Sequence, residues 1–341
     1  MIMSEAQFFV AAAIPVVGVG FLYAEGARRR ADVGHPVSRL RHIAFASGLL
    51  LFLMSVEWPF ETWAHKLFYL HQVGFMVARI VAPMLLAASR PIGLLVAGLP
   101  PTKPRQILRE ALQDPTHRKI WRTIRHPASV LAIYIGVFYV WEIPDMQAAA
   151  LAFPSVGYVM HFSLLLAGLL FWGRILDRRP APHGLSHGGR LMMIWLAVLT
   201  QIPLGAYITL KSTVLYSAYD TGSRLGMIAP LADESRGGFF IWMPSVYLSL
   251  LGLLVVVHKW GLHETLMDLK RTRWSSSNSA ILLYPQTGRA LREMARGKNR
   301  RMAIGMVGFA VLVFSAVMAI AVGTHRLNRR ENMRQYTLSR S

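Results

Sequence analysis

Five side chains carry most of the chemistry this sequence can offer: His71, His161, Met160, Met243 and Glu142. Each falls within, or at the end of, a long apolar stretch. An ionisable group there is expensive to hold and faces protein or water rather than lipid. Imidazole and thioether donors suit Cu(I), a soft ion. The bland readings stand beside this one. Histidines inside helix bundles often make interhelical hydrogen bonds, methionine is common packing material, and Glu142 fits a helix-end carboxylate bonded to a neighbour. Arg79 also lies within an apolar stretch, with no partner legible in the sequence. The chain has no cysteine, so disulfides, zinc knuckles and cysteine copper relays are excluded. His183 and His187 flank a short turn with nothing to pair them. No nucleophile-and-base array and no phosphate-cradling glycine motif is present, so the chain does not read as an enzyme.

The elements that must position these residues follow from composition. Hydrophobic residues make up 54% of the chain and charged residues only 16%, against about 25% charged in soluble domains. A helix needs about 20 mostly apolar residues to cross a hydrocarbon core about 30 Å thick. Eight stretches approach that length: 7–24, 42–57, 67–88, 129–143, 151–173, 190–210, 238–260 and 302–324. The alternating segments of a barrel are absent. The expected fold is all-α, a polytopic transmembrane helical bundle of seven to eight spans. Residues 1–265 form the bundle, 266–301 a basic cytoplasmic connector containing the polar run Ser275–Ser279, and 302–341 an additional helix with a basic tail. Trp58, Trp63, Trp141 and Tyr158 suit the aromatic belts at the membrane surfaces.

The formal net charge is +20, and the bases gather in alternate loops. Arg28 to Arg41, Arg90 to Arg125, Arg174 to Arg190 and Lys270 to Arg301 are basic. The intervening loops carry Glu57 and Glu61, Glu142 and Asp145, or Asp220, Asp233 and Glu234. Basic loops stay on the cytoplasmic side. This places His71, His161, Glu142, Met160 and Met243 toward the outer, periplasmic end. Anionic lipids rather than nucleic acid are the expected partners of the bases. Within the long inside loop, Ile107 to Leu112, and Ile120, Trp121 and Ile124 after Pro115, have the spacing of short amphipathic helices lying in the interface.

Several motifs together resemble one family. They are His71-Gln72-Val73-Gly74-Phe75 with Val81-Ala82-Pro83-Met84-Leu85-Leu86 and Arg90-Pro91, then Trp141-Glu142-Ile143-Pro144 and Met160-His161-Phe162-Ser163. Leu215-Tyr216-Ser217-Ala218-Tyr219, Asp233-Glu234-Ser235-Arg236-Gly237-Gly238 and Ile241-Trp242-Met243-Pro244 follow in order. Over roughly residues 40–260 this is similar to the CtaG family of cytochrome c oxidase assembly proteins. The resemblance implies a membrane-embedded assembly factor for a haem–copper oxidase, handling or positioning Cu(I) at the periplasmic face, with oxidase subunits as partners. Phe75 stands where the family has a second histidine, Glu142 and Gly157 where it has others, and Ile241 where it has a methionine. His71 and His161 carry over as ligands, with Met160, Met243 and Glu142 as helpers. The alternative is a metal-free accessory subunit held in a respiratory oxidase complex. A transporter fits less well, because the inside halves of the helices are too apolar for a continuous polar path.

Overall fold

In a computed structural model of the chain, residues 5–57, 60–100, 114–177, 184–220 and 228–274 are described, with isolated positions at 102–113, 179 and 293–315. All described secondary structure is helical. In order, α1 is Glu5–Asp32, α2 Arg39–Val56, α3 Phe60–Ala64 and α4 Phe68–Met76. A π-helical turn, Val77–Val81, joins α4 to α5, Ala82–Ser89. Then come α6, Ile92–Gly98, α7, Pro115–Ile124, α8, Pro127–Trp141, and α9, Pro144–Ala152. The last are α10, Pro154–Ile175, α11, His187–Leu210, a 3₁₀ turn at Ser217–Tyr219, and α12, Pro230–Trp274. Proline opens α7, α8, α9, α10 and α12, where its missing N–H leaves no hydrogen bond unmade.

Among the described residues, five segments are long and apolar enough to cross a membrane: Arg39–Val56, Phe68–Ser89, Pro154–Ile175, His187–Leu210 and Pro230–Leu269. A sixth arises if α7 and α8, bent by 65°, count together. This is fewer than the seven to eight spans expected. The expected fourth span, 129–143, corresponds to α8, whose 15 residues reach only about 22 Å. The first, 7–24, lies in α1, whose side chains before Ile14 are outside the described residues. The eighth, 302–324, the run Ser275–Ser279 and the Ile107–Leu112 helix also lie largely or wholly outside them. The helix expected after Pro115 is α7.

Contacts divide the chain into Met1–Leu253 and Leu254–Ser341. In the first unit, α10 packs against α5, α8, α9 and the π turn, α2 against α5, and α1 against α6. Its core holds Phe52, Phe68, Phe75, Phe138 and Leu164, each almost wholly buried. In the second unit, Trp260 Nε1 donates to Glu264 at 3.1 Å within the last part of α12.

Two segments read as loops prove to be packed helices. Within the expected inside loop, α6 lies on α1, with Gly26 against the Leu94 carbonyl and Gly98 against the Leu22 carbonyl. A Cβ at either glycine would collide with that backbone; small residues at such crossings let helices touch along their main chains. Within the expected outside loop, α9 buries Gln147 and Ala150.

Pro83 explains the π turn. It has no N–H for the carbonyl four residues back and crowds it; that carbonyl belongs to Arg79. The chain widens over Val77–Val81, and Gly168 of α10 closes onto the Arg79 carbonyl and the Pro83 ring. The next break is Arg90, in the left-handed conformation at φ 53°. Arg41 supports it, donating to the carbonyls of Ser89 at 2.7 Å and Arg90 at 3.1 Å. Arg29 likewise caps α6 through Ala97 and Leu99, both at 2.9 Å. Bases at helix C-termini satisfy orphan carbonyls and oppose the helix dipole.

Candidate functional site

His71 lies in the first turns of α4 and His161 in the first half of α10. The fold brings them together. Their ring centroids are 6.2 Å apart and their planes differ by 15°, and both are buried, at 3% and 7% exposure. His161 Nδ1 bonds to the Gly157 carbonyl at 2.9 Å. A carbonyl only accepts, so Nδ1 carries the proton and Nε2 keeps its lone pair.

The same tautomer follows for His71 from its surroundings. Its Nδ1 meets the Tyr219 hydroxyl, which donates its own proton to Gln147 Oε1 at 3.0 Å. The imidazole must therefore supply the proton between them. Gln147 Nε2 donates in turn to Glu142 Oε2 at 3.2 Å, and Gln72 Nε2 donates there at 3.1 Å. The Tyr216 hydroxyl donates to the Glu142 carbonyl at 2.9 Å. Burial, then the Glu142 charge, hold the Tyr219 and Tyr216 hydroxyls above the ordinary tyrosine range, so both stay protonated donors. An outer partner on one ring nitrogen fixes tautomer and orientation and leaves the other nitrogen for a ligand.

The acidic pair in the first turns of α12 builds this arrangement. The first residues of α4 have no cap of their own from Leu67; Asp233 accepts from the Phe68 and Tyr69 N–H groups at 2.9 and 3.1 Å. Glu234 pairs with Lys211 and accepts from the Leu215 and Tyr216 N–H groups at 2.9 and 2.7 Å. One carboxylate thus sets the helix carrying His71, and the other sets the segment carrying Tyr219. Phe68 stacks on Tyr216 at 4.2 Å and meets Tyr219 edge-on at 5.5 Å. Gly237 leaves the room that the Phe68 ring occupies.

The other expected site residues are placed differently. Glu142 is buried and joins the site through Gln147 and Tyr219, not by contact with an imidazole. Met160 is buried next to His161 in sequence, which turns it about 100° away around the helix. Met243 is buried on α12 beside Trp242, whose ring fills the space over Gly205. Phe75, one turn beyond His71, meets both imidazoles edge to face, at 4.7 Å and 6.3 Å. Among the described residues no group of three or more His, Cys, Asp or Glu side chains has the geometry to hold a metal ion.

Arg79 gains partners that the sequence did not show. It donates to Gln201 Oε1 at 2.6 Å and lies over the rings of Phe138 and Tyr134, at 3.8 and 5.0 Å. Trp141 is not a belt residue: it is buried, with Nε1 donating to Ser163 at 2.8 Å. Trp63 is half exposed, and Tyr158 donates to Glu57 at 3.4 Å. Gln147, Gln72 and Gln201 went unnoticed as site residues. Their one sequence signal is an amide in an otherwise apolar run.

Two curated relatives, uncharacterized proteins of Mycobacterium bovis and Mycobacterium tuberculosis, are each 22% identical over 290 residues. The match covers 84% of this chain but 44% of each relative, so the chain spans under half the length of the curated proteins it matches. No solved structure matches it. The family model described as cytochrome c oxidase caa3 assembly factor matches residues 21–261. That segment contains the paired histidines, the Glu142 network and the Asp233-Glu234 clamps. With most of its length covered and an all-helical, membrane-type fold, this chain belongs to the cytochrome c oxidase caa3 assembly factor (CtaG) family.

Proposed function

We propose that the protein serves oxidase assembly by holding one Cu(I) between His71 and His161 at the periplasmic end of its helices. The observation that carries this reading is the imidazole pair. Two rings bridged linearly by one ion, with metal–nitrogen distances of about 2 Å, have centroids about 6 Å apart. Here they are 6.2 Å apart. The donor set fits the ion: Nδ1 of each ring is committed to a hydrogen bond, leaving Nε2, and imidazole is an accepted copper ligand. Bound copper would supply the cargo for a haem–copper oxidase. The protein's own residues orient the rings and exclude water. Glu142 acts through Gln147 and Tyr219 on the tautomer of His71. Met160 and Met243 belong to the surrounding bundle.

Cu(I) competition against a chromophoric chelator, on detergent-purified protein, tests the reading. Wild type is expected to take one equivalent, and His71→Leu and His161→Leu each to lose it. Binding that survives both substitutions, or no binding by wild type, defeats the proposal. The second outcome favours a metal-free accessory subunit.

A further inference from the structure

Phe75 occupies an unusual place. It lies one helical turn beyond His71, on the same face of α4, and is 1% exposed. Its ring stands at 86° to His71 and at 86° to His161, while the two imidazoles are nearly parallel. The phenyl therefore forms a wall perpendicular to both rings, on the side from which a third donor on α4 would reach them. Two nearby polar groups are committed elsewhere, the Tyr219 hydroxyl to His71 Nδ1 and Gln147 and the Gly157 carbonyl to His161 Nδ1; His65 lies near enough to act electrostatically on both rings, but among the described residues it completes no three-donor group with them.

We infer that Phe75 is the specificity residue of this site, keeping it two-coordinate and so restricted to a monovalent soft cation. This inference rests on the copper reading above. Zn(II) takes four ligands in closed sites and at least three from protein in open ones. Cu(II) prefers tetragonal nitrogen and oxygen sets. Two imidazoles behind an aromatic wall supply neither. Charge acts in the same direction. The cost of burying an ion grows with the square of its charge, and among the described residues no hydrogen bond or ion pair joins a carboxylate to either ring to offset it. The edge-to-face contacts also hold the two imidazoles in their present separation.

The substitution Phe75→His tests this directly. Histidines four residues apart on a helix form a chelating pair, and with His161 they would make three donors. Outer partners alone alter metal affinity by about 10–100-fold, so an added ligand is expected to raise Zn(II) affinity by at least about 100-fold. With Co(II) as the probe, the visible bands of a tetrahedral nitrogen site should appear. Wild type and Phe75→Leu are expected to hold Cu(I) and to show neither Zn(II) retention nor those bands. Wild type that binds Cu(I), combined with a folded Phe75→His that gains no Zn(II) affinity, overturns the role of Phe75 and leaves the copper reading intact. Wild type that binds no Cu(I) overturns the copper reading and this inference with it. Should Phe75→His fail to fold, the wild-type comparison decides: Zn(II) held as tightly as Cu(I) overturns the inference, and Cu(I) alone supports it.

Discussion

At the scale of single residues, the site is organised by proton direction. Glu142 is an acceptor for two amides, and the polarity it imposes runs through Gln147 and Tyr219 to His71. The tyrosine is the only hydroxyl in that chain, so it is the residue to remove. Tyr219→Phe is expected to leave the fold intact and to weaken Cu(I) binding by about 10–100-fold. The Tyr216 hydroxyl meets the Glu142 carbonyl at 2.9 Å and its carboxylate at 3.5 Å but does not reach His71 directly, so Tyr216→Phe is expected to weaken binding much less. Chelator competition on the two variants, with circular dichroism as the folding control, measures the difference. An equal loss in both would mean that packing, not tautomer control, explains the effect.

At the scale of elements, the interior acids brace helix ends. Asp233 is wholly buried and caps a helix that lies 165 residues earlier in the chain. Charge-assisted hydrogen bonds to buried backbone N–H groups contribute about 1.5–3 kcal/mol. Asp233→Asn keeps one acceptor oxygen and loses the charge. It is expected to destabilise the protein by about 2 kcal/mol and to lower its melting temperature in detergent. The Glu264→Gln change, at the exposed Trp260 contact, is expected to alter it within measurement error. A melting temperature that moves equally in both would remove the trans-cap from the account of α4. The arginine caps on α5 and α6 act by the same electrostatics at the opposite type of terminus.

At the scale of the whole molecule, the alternating loop charges predict that the loop before α12 is periplasmic and that α7 is cytoplasmic. The chain lacks cysteine, so single cysteines report without background. In intact cells a membrane-impermeant thiol reagent is expected to label Thr213→Cys and to spare His117→Cys until the membrane is opened. The reverse pattern would invert the molecule and place the histidine pair at the cytoplasmic end. The helical class was legible because lipid forces every backbone group to bond within its own segment, and runs such as 67–88 and 190–210 announce themselves by length. The motif residues His71, His161, Asp233 and Glu234 were legible because polar groups in apolar runs are conspicuous. Their roles were not. A sequence states that a polar group is buried and says nothing of what faces it across more than a hundred residues of chain. Only the packed helices made Asp233 a cap for α4, gave Arg79 its amide and two aromatic faces, and set Phe75 against both imidazoles. Hydrogen bonds and ring contacts act over a few ångströms, and tertiary packing alone fixes which groups come that close.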